Sequence, residues 1–465
     1  MVVANDAETL DPRYATDAVG LRATRLVHAG LVRLDPDTLA PLPYLAKGWR
    51  WVDPLTLQID LRDDVRFHSG APFDSRDVVE TLRAMASPKV ASRLSRVVDA
   101  IASAEAPAPH TVIVHLGRPH ATLLTDLEIP ILRAAQAASP PAPAGTLDGL
   151  GPYRVAGVSQ GEVRLVPADG GALARPARAV TLRTVHDENA RALRLIAGRA
   201  DVALNLMSPT LLPALAAQPG LAVSSRAGAN LTYGVMNESQ PWLGDVRVRR
   251  ALSTAIDRAT LCQALFDGRA HPAGGLISPA HWAHANLPAL PFDPDASRLL
   301  LREAGALHAH LTILTSTERL RGDVARVIAQ ELGDVGLDVT VIPLELGTML
   351  ARLNAGEFDI AILQLPEMTE PNVLRHFLHS ALAPPAGANR GRVADSVLDS
   401  ELDAADREGD PAARRAIYAR VEARQIDRVH VLPLWYEDQV AVTSARARTF
   451  SPSAEGRWLG LARLP

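Results

Sequence analysis

The chain has 465 residues, too many for one ordinary core and enough for two or three domains. Hydrophobic residues make up 47% and charged residues 22%, as in globular proteins, and a net charge of −4 leaves no case for a nucleic-acid partner. The lone cysteine, Cys262, excludes an internal disulfide, thiolate zinc sites and paired-thiol redox chemistry, and no run approaches the roughly 18 apolar residues of a membrane helix.

The first 50 residues are short apolar runs broken by turn pairs, "DPR" at 11–13 and "DPD" at 35–37. "LTLQIDL" (55–61) alternates with period two and predicts a strand. In "FDSRDVVETLRAM", Asp74 or Ser75 can cap a helix with Val78, Val79, Leu82 and Met85 on its inner face. "HTVIVHL" (110–116) predicts another strand, and the Ala/Pro/Gly-rich stretch 134–149 a flexible connector. "GPYRVAGV" and "EVRLVPA" flank "SQG" as a hairpin. Strand "AVTLRTV", helix "HDENARALRLIAG" and strand "ADVALNL" make a βαβ unit. After the strand "LAVSSR" comes "YGVMNESQPWLGDVRVRRAL" (233–252), an apolar strand that stops at Asn237, turns, and enters an Asp245-capped helix. Its inner face is Val248, Leu252, Ala255 and Ile256, with Arg247, Arg249 and Arg250 expected on a solvated or domain-facing surface. Cys262 in "TLCQALF" reads as a small buried hydrophobe. Residues 268–294 are irregular. Alternation then resumes with strand "HLTILTS", a helix striped by Val324, Val327, Ile328 and Leu332, strand "LDVTVIPL", a helix ended by Gly356, and strand "FDIAILQL". That order implies a parallel sheet with right-handed crossovers. Two more helices and the strand "VLPLWYE" close the second α/β region.

Ligands of open α/β sheets lie beyond the carboxyl ends of the strands. The loops Thr315-Ser316-Thr317-Glu318-Arg319 and "LPEMTEPN", with Glu367, Glu370 and Asn372, are therefore the candidate binding surface. "GVSQG" (157–161) matches G-x-S-x-G, but a nucleophilic Ser159 needs a strand-to-helix turn, and strands flank it on both sides. The histidine pairs His281/His284, His308/His310 and His376/His379 lack a carboxylate at metalloprotease spacing. No Gly-rich phosphate loop is present, so no cofactor is expected.

Six blocks in order resemble the extracytoplasmic solute-binding proteins of ABC transporters, in the family that binds peptides, nickel complexes and related solutes. They are "ETLDPRYATD", "VRFHSGAPFDSRDVVETL", "GLGPYRV", "NLTYGVMNESQPWLGDVRVRRALSTAIDR", "FDIAILQL" and "PAARRAIYARVEARQIDRVHVLPLWYE". The resemblance implies a two-lobed periplasmic-binding-protein type II α/β fold with a subdomain inserted in the first lobe. On that basis 1–44, 150–237 and 437–465 form lobe I, 45–149 the insertion and 238–436 lobe II. Tyr233–Asn237 and Leu432–Glu437, including Trp435, would be the two crossings, flooring a cleft that closes on solute.

Family members that bind peptides often place a Trp at the end of the strand matching 359–365, followed by an acidic residue for the peptide amino group. Here Gln364 stands at the Trp position, and Glu367 or Glu370 could supply the anion. Asn389 and Arg390 in "ANRGRV" and Thr9 in the first lobe complete the candidates implied by the resemblance. The expected activity is capture of a peptide or similar solute and delivery to ABC permease subunits by a monomer that performs no chemistry. The expected place is the periplasm or the outer face of the cytoplasmic membrane, although the sequence carries no signal peptide. The alternatives are a metal chelate or haem as ligand, with His376, or a hydrolase built on Ser159.

Overall fold

Helices start where an aspartate precedes the first apolar turn. Asp17, Asp74, Asp187, Asp245, Asp257, Asp293, Asp395 and Asp410 each accept a backbone N–H from the helix that follows. A carboxylate there satisfies an amide that has no partner within the helix and faces the positive end of the helix dipole. Asp74, rather than Ser75, caps Ser75–Ala86, and Asp77 returns a bond to the Asp74 N–H, which completes a capping box.

The computed structural model describes residues 1–288 and 290–465. They form two compact units, one of Met1–Arg226 with Gln439–Pro465 and one of Ala227–Asp438. The chain passes between them inside two long strands, Leu221–Met236 and Val431–Ser444. The sequence boundaries were expected at 237/238 and 436/437, and the units divide at 226/227 and 438/439. "LAVSSR" and "YGVM" are thus one strand, not two.

Among its described residues the first unit holds two four-stranded sheets. In one, Val2–Val3, Val180–Thr184, Glu162–Pro167 and Tyr153–Ser159 lie side by side in that order. In the other, Ala46–Asp53, Thr56–Leu61, Thr111–Leu116 and Ile101–Ala108 are antiparallel. Alternation buries Leu57, Ile59, Leu61, Val112 and Val114 in one core with Val78, Val79, Leu82 and Met85 of the capped helix. Each such side chain contributes roughly 1.5–3 kcal/mol when fully buried. This core also takes in Ala29, Leu31, Leu150 and Ala172, so it reaches past 45–149 on both sides.

Two sequence blocks of this unit are explained by their contacts. His68 of "FHSG" donates its backbone N–H to Gly149 O (3.0 Å), and its Nε2 donates to Gly151 O (2.9 Å) in "GLGPY". A Cβ on Gly149 would collide with Val27 O and the His68 ring, so only glycine fits. The stretch 134–149, expected to be flexible, is bolted instead. Arg13, fully buried, donates to the carbonyls of Ala137 (3.0 Å), Ser139 (2.6 Å) and Pro140 (3.1 Å) and pairs with buried Asp11 at 2.6 Å. An arginine's five donors can satisfy several carbonyls of an irregular segment that has no ladder of its own.

In the second unit the end of Leu221–Met236 pairs antiparallel with Ile360–Leu365, and His310–Ser316 runs parallel to both Ile360–Leu365 and Asp338–Leu344. Val431–Ser444 lies on the other side of Leu221–Met236, and its residues 435–437 also pair with Ala270–Pro272. The crossover helices are Arg319–Asp334 and Leu346–Ala355, the latter ended by Gly356 in the left-handed region (φ 79°). Val324, Ile328 and Leu332 are buried as the stripe predicts, whereas Val327 is exposed. Cys262 is buried, and burial pushes its thiol up to about 12.

The turn after Met236 ends the strand for a packing reason. Asn237 is fully buried. Its backbone N–H donates to Asp359 O (2.9 Å), its Nδ2 to Gly356 O (3.0 Å) and Phe358 O (3.1 Å), and its Oδ1 accepts from the Ser239 hydroxyl (2.6 Å). Of the arginines beyond it, Arg247 and Arg250 are exposed as expected, and Arg249 is not. Arg249 is buried and donates to Leu243 O (2.7 Å), Val429 O (3.0 Å) and Arg428 O (2.9 Å), while Arg250 reaches Asp427 and Arg247 pairs with Asp245.

Candidate functional site

The order of strands in the second unit brings four distant parts of the sequence into one row. Thr232 and Gln364 are direct cross-strand partners. Glu437 lies on the neighbouring strand Val431–Ser444, and Arg321 opens the helix that follows His310–Ser316. Glu437 Oε1 accepts from the Thr232 hydroxyl (2.6 Å) and Trp435 Nε1 (3.4 Å), and its Oε2 accepts from Gln364 Nε2 (2.8 Å). Arg321 Nη1 donates to the Thr232 hydroxyl (3.0 Å). The nearest carboxylate oxygens to this guanidinium, on Glu437 and Glu318, are both 3.5 Å away. Thr315, buried, donates its hydroxyl to Arg321 O (3.2 Å) and fixes the start of the helix. The row stands at the carboxyl ends of the parallel strands, where open α/β sheets bind ligands.

The loop after Ile360–Leu365 is shaped by two further anchors. Glu367 has φ 50°, a left-handed backbone that a non-glycine residue adopts only when its surroundings hold it. Here its N–H donates to Asn230 Oδ1 (3.0 Å) and Met368 N–H to Ala229 O (3.3 Å). Glu370 pairs with Arg414 at 2.5 Å, and the Arg414 guanidinium lies over the rings of Trp282 (5.6 Å) and Tyr418 (5.5 Å). Both partners are nearly out of water, with side chains 14% and 5% exposed, so the Glu370 charge is already matched inside the fold.

Several residues expected at the ligand are buried and bonded within the fold. Asn237 ties the turn described above. Asn389 is fully buried, donating to His379 O (3.1 Å) and Val393 O (2.9 Å) while accepting from Val393 N–H (3.0 Å), which closes its own loop. Trp435 is fully buried against Phe266, with ring centroids 5.5 Å apart. Tyr233 is buried edge-on to Phe377 (6.3 Å), and burial pushes its hydroxyl up to about 12. Gln364 and Glu367 keep partial exposure, as does Arg390, whose Nε donates to Asn354 Oδ1 (2.9 Å). Arg319 is almost wholly exposed and 4.0 Å from Asp323. Thr9, in the first unit, accepts the Asp11 N–H (3.0 Å). Ser159 ends a strand and pairs with Glu162 across a hairpin turn, not at a strand-to-helix elbow. Among the described residues no three His, Cys, Asp or Glu side chains gather as metal ligands, and no helix is long and apolar enough to cross a membrane.

Residues 40–381 match the model of the bacterial extracellular solute-binding proteins, family 5 (middle region). The chain belongs to this family. A probable di/tripeptide-binding protein of Pseudomonas aeruginosa is 26% identical to this family 5 protein, covering 92% of this chain and 88% of the relative. The glutathione-binding protein GsiB of Salmonella paratyphi A is 27% identical over 91% of this chain and 85% of its own. The ABC transporter substrate-binding protein CtaP of Listeria monocytogenes shares the fold, with TM-score 0.89, 21% identity, and coverage of 99% and 97% of the two chains. This is the two-lobed fold of the family.

Three members of the polar row, Thr232, Arg321 and Glu437, were absent from the sequence candidates. Their only signal was polar residues inside otherwise apolar strand ends, and Arg321 lies two positions past the loop chosen for its position.

Proposed function

We propose that this family 5 protein is the solute-capturing component of an ABC importer, that its solute is a short peptide or a peptide-like molecule, and that it hands this solute to permease subunits as a monomer without chemical change. The place is the periplasm or the outer face of the cytoplasmic membrane. The observation that carries the reading is family membership joined to relatives named for di/tripeptides and glutathione that align with about nine-tenths of the chain. The polar row supports it. Short peptides are dense in amide N–H, carbonyl and charged ends, and a buried ligand of that kind must find a partner for each. Gln364, Glu367, Arg319 and Arg390 are the proposed contacts among the sequence candidates that keep exposure, and Arg321 joins them.

Native mass spectrometry tests the reading. Protein purified gently and incubated with an equimolar pool of dipeptides, tripeptides and reduced glutathione is expected to carry one peptide-sized mass per chain. Retention of no member of the pool, together with retention of a metal chelate, would replace the peptide reading by the chelate one.

A further inference from the structure

The basic side chains are not spread evenly along the chain. Residues 151–226 and 439–465, both in the first unit, carry 13 arginines against six aspartates and glutamates. Residues 227–438, the second unit, carry 20 arginines against 28 such carboxylates. The excess in the first unit has a place in the fold. Glu162–Pro167 pairs with Val180–Thr184 on one side and with Tyr153–Ser159 on the other. Arg183 lies opposite Glu162 and Arg154 opposite Val166, so Arg154, Arg164 and Arg183 share one face of this sheet. The other face is core, with Tyr153, Leu165, Val180 and Leu182. All three arginines are exposed, and with neighbouring strands roughly 5 Å apart they form a diagonal stripe. Arg183 pairs with Glu162 at 2.5 Å, whereas the guanidinium groups of Arg154 and Arg164 have no hydrogen bond or ion pair among the described residues. Arg183 also lines a cavity of about 340 Å³ that adds Arg178, Arg199 and Arg446. There Arg446 meets Asp201 at 3.0 Å and Arg178 donates to Pro465 O.

We infer that this arginine-striped sheet face docks on the anionic phospholipid headgroups of a membrane. The sign of the charge fits, and guanidinium groups pair well with phosphate. The shape fits too, because the stripe stands on an open sheet face and not inside a groove cut for one small ligand. The one aromatic residue of these strands, Tyr153, is buried on the core face, so the surface is held by charge without insertion into the acyl layer. Docking of this kind keeps a solute carrier close to the membrane that houses its permease. The choice of a membrane rests on the extracytoplasmic place proposed above. The stripe shares no residue with the polar row, so the inference adds a second surface and not another solute contact.

The test is co-sedimentation of the full chain with two kinds of vesicle, one of phosphatidylglycerol mixed into phosphatidylcholine and one of phosphatidylcholine alone. Wild type is expected to bind the anionic vesicles at low salt, to leave the neutral ones free, and to come off at about 0.5 M salt, where charges a few ångströms apart are already screened. R154Q/R164Q breaks no ion pair. It is expected to melt as wild type does and to retain the same peptides, yet to bind anionic vesicles roughly 10- to 30-fold more weakly, about fivefold for each arginine. R154K/R164K keeps the charge and should bind nearly as wild type. Equal binding to both kinds of vesicle, no binding to the anionic ones at low salt, or an R154Q/R164Q that binds as wild type overturns the inference. Absence of vesicle binding, together with self-association that R154Q/R164Q abolishes, gives the face to an acidic surface of a second copy instead. Each of these results leaves peptide capture standing, because peptide retention is read separately. Vesicle binding without retention of any peptide removes the peptide reading and leaves the docking face in place.

Discussion

Two arginine–glutamate pairs in the 227–438 unit are built in opposite ways. Arg414 and Glu370 touch at 2.5 Å, and the rings of Trp282 and Tyr418 cover the guanidinium. Arg321 and Glu437 stay 3.5 Å apart, and neutral side chains supply the short bonds to Glu437. The first pair is closed and its charges answer each other. The second is looser, with Arg321 Nη1 reaching Glu437 Oε1 only at 3.5 Å while neutral donors hold the carboxylate. The lesson is that charge alone does not mark a ligand contact. What matters is whether the charge already has a partner at hydrogen-bond distance.

Breaking the closed pair should give the largest effect on stability. Glu370→Ala leaves the Arg414 guanidinium buried without its carboxylate, which costs roughly 3–5 kcal/mol. Urea unfolding reads this directly, and a loss below about 1 kcal/mol would mean the pair is not closed in solution. Asn237→Ala comes next. It removes bonds to Gly356 O, Phe358 O and Ser239 at a fully buried turn, and is expected to cost about 2–4 kcal/mol at roughly 1 kcal/mol per bond.

Much of the first layer of this comparison could be read in the sequence, and the second layer could not. The Asp74 cap and the Val78, Val79, Leu82 and Met85 face follow from local spacing, because a helix places those residues together whatever it packs on. The continuous strand Leu221–Met236 did not show, because "SSRAGAN" in its middle has neither alternation nor bulk. Arg249 read as a surface residue because its hydrogen bonds go to main-chain carbonyls, which carry no sequence signal, and two of these carbonyls belong to Arg428 and Val429 far along the chain. The polar row depends on strand order. Thr232, Arg321, Gln364 and Glu437 become neighbours only once Val431–Ser444 lies beside Leu221–Met236 and Ile360–Leu365 beside His310–Ser316.

A third closed charge sharpens the contrast through pH. Burial pushes the Glu422 carboxyl up to about 7, against the ordinary glutamate value near 4.5, although its Oε1 accepts from the Leu276 and Ile277 N–H groups. Between those two values the folded state binds a proton that the unfolded chain has released. Stability from this group is therefore full below about 4.5 and is lost as pH rises through about 7. Glu422→Gln keeps the accepting oxygen and removes the ionisation, so relative to wild type it should gain up to about 3 kcal/mol between pH 4.5 and 8. Melting temperatures across that range check the sign, and a variant that loses stability relative to wild type at alkaline pH would refute it. The smallest stability effect belongs to the open row. Arg321→Gln should change unfolding free energy by less than about 1 kcal/mol, since no short ion pair is broken.

Hydrogen–deuterium exchange of the full chain with and without saturating Ala-Phe tests most directly whether the open strand ends hold the solute. Ligand should slow exchange in 315–321 and 364–368, while the 237–245 turn, already tied by Asn237, should exchange alike in both samples. Protection that appears in the turn and spares both strand-end segments would contradict the account.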